Sequence, residues 1–461
     1  MQLSIIALFS VTVIVCISYL GLYRLSWQRA IKLVLIIVIF EGVLRKWVLP
    51  QASDQIYFLK DLFLLLAYLK YYFSSESKYR FKFSFFNIIL ILTIAWCVFQ
   101  AFNPSLGSPI IGLFGLKAYF FYMPLMWILP SLFKTEEELY LFLRNFMLLA
   151  IPVCLLAVVQ YFSPSLSPIN VWAGGQEANA TAGGAIRVTG TFPYITGYSS
   201  YLMICVCILV PMLSLQQSQL WKWLTYVETL LVIGTSFMTG ARSLLTFEIL
   251  FLIGYASILT LTKPSIATRA AKKLILPIIL ISALVPRFFA QAIGTFFART
   301  GTSEKDYQDF LARIFSAFDE PGNAMQFKGF DSYGIGATHQ AIPALRNLLR
   351  LPSGELTPPA EGEMGRIILE IGPFGFTLWY ALRVALMFSN WRIFMQIKSP
   401  FLRQLALSFL LLQVINITNQ FVFNNTLSIY TWFFSGCIFL FPELEYRQSL
   451  SYRYWASQQH V

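Results

Sequence analysis

Long apolar runs broken by short polar stretches recur along nearly the whole chain. Each run is continuous over close to the ~20 residues that cross a bilayer. Barrel strands would instead alternate in polarity over segments of ~10 residues. The pattern predicts helices over 3–21, 31–49, 56–73, 84–101, 110–130, 139–162, 194–214, 219–237, 242–261, 273–290, 367–388, 402–421 and 426–441. The expected fold class is all-α, a polytopic membrane protein with about 12–13 transmembrane helices. The fifth run contains Gly112, Gly115, Lys117 and Pro124, which predicts a broken or partly inserted segment. The first run, LSIIALFSVTVIVCISYLG, has no basic residues before it and no small-residue cleavage site, so it reads as a retained helix.

Two segments depart from the short connections. Residues 163–193 form a Gly/Ala/Asn-rich loop. Residues 291–366 form a mixed-charge loop between the fourth-last and third-last spans, a length that connectors rarely reach without a role. Inside it, SEKDYQDFLARIFSAFDEPG places Tyr307, Phe310, Leu311, Ile314 and Phe315 at helical spacing, and HQAIPALRNLLRLPSG predicts a second short helix ended by Pro352. The expected organisation is an N-terminal bundle of about ten helices over 1–290, a loop domain over 291–366, C-terminal helices over 367–441 and a tail over 442–461. No internal repeat is visible.

Hydrophobic residues make up 57% of the chain and charged residues 12%, about half the charge of a soluble domain. The net charge of +12 raises nucleic acid as a partner, but its distribution argues against one. Arg24/Arg29, Lys70/Lys78/Arg80/Lys82, Lys263/Arg269/Lys272/Lys273 and Arg392/Lys398/Arg403, with Arg447/Arg453 in the tail, fall on alternate connections, as cytoplasmic ones do. The exceptions are Arg45-Lys46 and the long loop. The expected orientation has the N-terminus outside, the C-terminus cytoplasmic and both long loops extracytoplasmic. Six cysteines, Cys16, Cys97, Cys154, Cys205, Cys207 and Cys437, lie in apolar segments without metal-ligand or disulfide spacing. The 43 Phe, 23 Tyr and 11 Trp suit lipid-facing packing and interfacial belts; Trp172 and Tyr194, near Arg187, are candidates to stack on a sugar ring.

Candidate chemistry gathers on the outer face. Arg187 lies in IRVTGTFPYITGYSSYL and Arg242 in the tight turn FMTGARSLLTF. His339, one of two histidines, follows Gly334 and Gly336 in FDSYGIGATHQ, and EGEMGRIILEIGPFGF carries Glu361, Glu363 and Arg366. An arginine at an apolar helix end needs an anionic partner, water or the interface. Snorkelling, or pairing with Asp331, Glu361 or Glu363, satisfies each one singly. Two outward arginines suit something more specific, because guanidinium forks match phosphate oxygens and keep their charge when partly dried.

These residues resemble the bacterial O-antigen ligase-like and polysaccharide polymerase-like membrane glycosyltransferases. The resemblance is carried by Arg187-x-x-Gly190-Thr191-Phe192, by Thr239-Gly240-Ala241-Arg242-Ser243, by Gly334-x-Gly336, and by Glu370-x-Gly372-x-x-Gly375-Phe376. The stretch EGVLRKWVLP…LKDLFLLL is similar to one branch of the group. The resemblance implies a bacterial inner-membrane enzyme. It would transfer a glycan from undecaprenyl pyrophosphate to the hydroxyl of a glycan, lipid or protein acceptor, with inversion and without metal or cofactor. Arg187 and Arg242, with Arg366 as a lesser candidate, would hold the pyrophosphate. Gly190, Gly334 and Gly336 would shape the loops.

The family commonly carries His-Asn about nine residues before the glutamate matching Glu370, where this chain has Glu361-Gly362-Glu363. The base implied is thus His339, Glu361 or Glu363. A rival reading is a transporter or lipid-linked glycan flippase, which needs ionisable groups deep in helices; Glu228 and Glu248 are the buried candidates, with Glu41 and Asp61 near helix ends. A scaffold in envelope assembly would not need paired arginines.

Overall fold

The computed structural model describes residues 19, 25–74, 85–176, 181–182, 185–291, 293–294, 318–360 and 362–458. Nearly all of the predicted helix 3–21, much of the predicted helix within 303–322, and Glu361 lie outside the described residues. The described chain is helical, apart from a minimal hairpin in which Thr181–Ala182 pairs antiparallel with Ala185–Ile186. Among the described residues, five helices are long and apolar enough to cross a membrane: Glu136–Phe162, Ile195–Leu213, Arg242–Thr262, Glu363–Gln396 and Asn425–Leu450. Pro109–Phe120 and Leu125–Leu132 add a sixth if they form one span, bent by 41°. That bend falls in the fifth apolar run, at the stretch containing Pro124, whose ring cannot continue the preceding helix.

Several elements differ from their sequence pattern for identifiable reasons. The run 31–49 starts earlier, at Trp27, where Ser26 caps the first turn by accepting from the Arg29 amide, and it ends as a π-helix over Leu44–Val48. The short helix in the long loop, Ile342–Leu349, ends at Arg350 rather than Pro352. Arg350 takes the left-handed conformation, φ 51°, and its N–H closes onto the Arg346 carbonyl. The helix expected from 367 begins at Glu363 and breaks at Gly372, whose φ of 67° is followed by Pro373. Cys97, Cys154, Cys205, Cys207 and Cys437 are free and buried.

The chain divides into two compact units. The first comprises Met1–Lys78, Ser131–Thr302 and Arg447–Val461; the second comprises Tyr79–Pro130 and Ser303–Tyr446. In the first, helix Trp27–Val43 packs on Leu59–Phe73, and Ala150–Phe162 packs on Gln219–Met238. From Glu136–Leu148, the helix before that pair, Arg144 reaches Glu228 in a bidentate ion pair, Nη1–Oε2 2.6 Å and Nη2–Oε1 3.0 Å, with both side chains at most 1% exposed. In the second unit, Glu363–Gln396 packs on Phe85–Ala101 and on Pro400–Ile415.

Glycines allow the 331–341 loop of the second unit to dock closely. Gly334 and Gly336 have φ of 89° and 90°. A Cβ on Gly334 would lie 2.5 Å from Leu106 Cγ, and one on Gly336 would lie 2.8 Å from Gly115 Cα. Gly115 in turn faces the Ile335 carbonyl, which a Cβ there would approach to 2.4 Å. Gly329 supplies a control, since its φ is 58° but nothing stands within 4 Å of its would-be Cβ. Gly334→Ala is expected to destabilise the purified protein by about 1–3 kcal/mol beyond Gly329→Ala, which carries backbone strain without the clash. Equal losses in thermal melts of the two variants would refute this steric account.

Candidate functional site

In the first unit, the segment after the hairpin is held from three sides. Gln160 Oε1 accepts from the amides of Thr189 (3.2 Å) and Gly190 (2.8 Å). Lys46 Nζ donates to Thr189 Oγ1 and the Gly190 carbonyl, both at 2.8 Å, and to the Phe192 carbonyl at 3.3 Å. Thr191 Oγ1 donates to the Ile39 carbonyl at 2.6 Å. Gly42 makes this approach possible, because a Cβ there would run into the Thr191 carbonyl. Lys46 is therefore not a topology signal. It is 2% exposed and anchors the Arg187 loop, and its position in EGVLRKWVLP is the sequence trace of that role. Its neighbours are internally paired, with Glu41 bridging Arg45 at 3.0 Å and Lys60 at 2.8 Å.

So anchored, the loop lies against the turn before helix Arg242–Thr262. Arg187 Nε donates to the Thr239 carbonyl at 2.9 Å, and the Val188 amide to the Met238 carbonyl at 3.4 Å. Gly190 and Gly240 both take positive φ, 53° and 60°. Arg187 and Arg242 are half-buried. Arg242 is the first residue of its helix, where backbone N–H groups and the helix dipole favour an anion. Trp172 and Tyr194 meet edge-on with centroids 6.1 Å apart.

In the second unit, the 331–341 loop is tied to helix Glu363–Gln396 by Glu370. This carboxylate is fully buried; Oε1 accepts from the Thr338 amide (2.9 Å) and Thr338 Oγ1 (2.7 Å), and Oε2 from the Tyr119 hydroxyl (3.0 Å). At the loop's start, Asn103 Nδ2 donates to the Ser332 carbonyl at 2.8 Å, and the Tyr333 amide to the Leu369 carbonyl at 2.8 Å. These bonds place His339, which is 7% exposed. Its Nδ1 accepts from the Ala341 amide at 3.1 Å, and its Nε2 has no hydrogen-bond partner among the described residues. The neutral ring then carries its proton on Nε2, so it is a donor there rather than a proton acceptor.

Burial, with the positive charges of Lys117 and Arg366, pushes the His339 imidazole down from 6.5 to about 3. Its loop lies outside the candidate spans. Between those values the unfolded chain binds a proton at His339 that the folded protein does not, so stability rises with pH across that window. The contribution is intact above pH 6.5 and is lost progressively toward pH 3. His339→Gln is expected to flatten the fall in melting temperature between pH 6 and 4; an unchanged slope would exclude His339 as its source.

Glu363 is likewise engaged within the fold. Its carboxylate is fully buried, with Oε1 paired to Arg383 Nη1 at 3.3 Å and Oε2 accepting the Val422 amide at 2.7 Å. Arg383 continues to the carbonyls of Asn416 (2.7 Å) and Ile417 (2.9 Å). Glu363 thus joins its helix to the segment after Pro400–Ile415. Arg366 is half-buried; its Nε donates to the Ala360 carbonyl at 3.0 Å, and its guanidinium stands 5.2 Å from the Phe423 ring centre. Comparison of the chain with protein-family models, with curated proteins and with solved structures returns no match.

Proposed function

We propose that the protein is an integral membrane glycosyltransferase of about 12–13 spans. It would move a glycan from undecaprenyl pyrophosphate to an acceptor hydroxyl on the extracytoplasmic face of a bacterial inner membrane. The observation carrying this reading is that Arg187 bonds the Thr239 carbonyl at 2.9 Å, against the turn that ends at Arg242. Two permanent cations and a helix N-terminus are thereby gathered on one element pair, the chemistry a leaving pyrophosphate needs. The acceptor oxygen forms a bond to the anomeric carbon as the bond to the pyrophosphate oxygen breaks. The electron pair leaves on the lipid diphosphate and the hydroxyl proton passes to a base. With His339 a donor at Nε2 and Glu363 ion-paired, Glu361, outside the described residues, is the position to test by Glu361→Gln.

The rival reading as a transporter or flippase is separated by one experiment. Purified protein in detergent, given a lipid-linked pyrophosphate glycan and an acceptor glycan, should form covalent product without any gradient. Glycan movement into proteoliposomes with no new glycosidic bond would overturn the transferase reading. In cells, shortened surface chains in a knockout would mean polymerisation, and full-length unattached chains would mean ligation.

A further inference from the structure

The second unit holds an arrangement separate from the Arg187 loop and the turn before Arg242. Two phenylalanine rings link His339 to two cations. Phe114 meets the imidazole edge-on at 4.8 Å and lies 5.8 Å from Lys117 Nζ. Phe423 lies 5.9 Å from the imidazole and 5.2 Å from the Arg366 guanidinium carbon. Both cations are near enough for their charge to be felt at the ring. Two donors there are buried without a hydrogen-bond acceptor among the described residues: Nε2 of His339, on a side chain over nine-tenths buried, and Nη1 of Arg366. Buried donors are rarely left unmatched, because each keeps the full penalty of its lost hydration. Two of them beside a further positive charge call for an acceptor that is itself negative.

We propose that His339 Nε2–H and Arg366 Nη1–H, with the charge of Lys117, form an oxyanion-binding site walled by Phe114 and Phe423. The chemistry recognised is a carboxylate or phosphate oxygen on a group whose remainder is apolar or a sugar face, since the walls are phenyl rings rather than water. Its two natural sources are the carboxylate of an acidic sugar and a phosphate carried by the glycan or its lipid. The loop that presents His339 is built rather than incidental: Glu370 pins Thr338 immediately before it, and Gly334 and Gly336 admit the close approach. The site lies wholly within the second unit and does not depend on the roles assigned to Arg187 and Arg242.

The chain has only two histidines, which makes the test direct. Protein labelled with 15N-histidine, in a His460→Gln background, is titrated in detergent with glucuronate and, separately, with inorganic phosphate. The expected result is a saturable shift of the His339 Nε2 resonance by one of the two, which identifies the source. Arg366→Gln should weaken that titration at least about tenfold, as loss of a charged hydrogen bond does, and Lys117→Met should weaken it less. A His339→Gln melt in the absence of anion checks that the fold persists. No saturable shift with either anion, or titrations unmoved by Arg366→Gln, would overturn the site.

Discussion

Arg187→Ala and Arg242→Ala are each expected to lower glycan transfer by at least about 10²–10³-fold, the loss typical of removing one preorganised group aimed at developing charge. On the proposed function, charge grows on the diphosphate as the anomeric bond breaks, so these side chains would act more strongly in the transition state than on bound donor. Arg187→Lys should recover little, because an ammonium cannot reproduce the planar guanidinium fork, whose Nε donates to the Thr239 carbonyl. Expression level and melting temperature in detergent separate lost chemistry from lost folding. Transfer at the parental rate by both alanine variants would sink the phosphate clamp.

The second large effect concerns stability. Arg144 and Glu228 are essentially fully buried and paired through two bonds. Removing one partner strands a desolvated charge, so Arg144→Ala or Glu228→Ala is expected to cost about 3–5 kcal/mol. Replacing both together by apolar residues of similar size, Arg144→Met with Glu228→Leu, should be nearly neutral, since no charge is then left unpaired. Denaturation in detergent across this double-mutant cycle provides the check; single variants that melt with the parent would show the pair contributes nothing.

Comparing residues shows which inferences the linear chain permits. Gly334 and Gly336 beside His339 announced a tight loop, because few residues other than glycine tolerate φ near 90°. The break in the fifth apolar run was likewise legible, from Pro124. Lys46 was not. Its three acceptors come from residues some 143 to 146 positions away, and in the chain it looks like any basic residue at a helix end. Glu363 and Glu370 are separated by a few residues on one helix and carry identical side chains. Only their surroundings distinguish a carboxylate paired with Arg383 from one that holds the His339 loop.

What the chain determined unaided is its helical, bilayer-adapted character and the places where its helices cannot continue. These follow from transfer free energy and local backbone sterics, which are properties of consecutive residues. The allotment of charges was decided by the tertiary structure alone: Arg144 to Glu228, Arg383 to Glu363, Lys46 to three neutral oxygens, and Arg187 to the turn before Arg242. Desolvation makes each buried charge seek whichever partner packing brings within about 3 Å, and that partner is set by three-dimensional proximity, which no local pattern encodes.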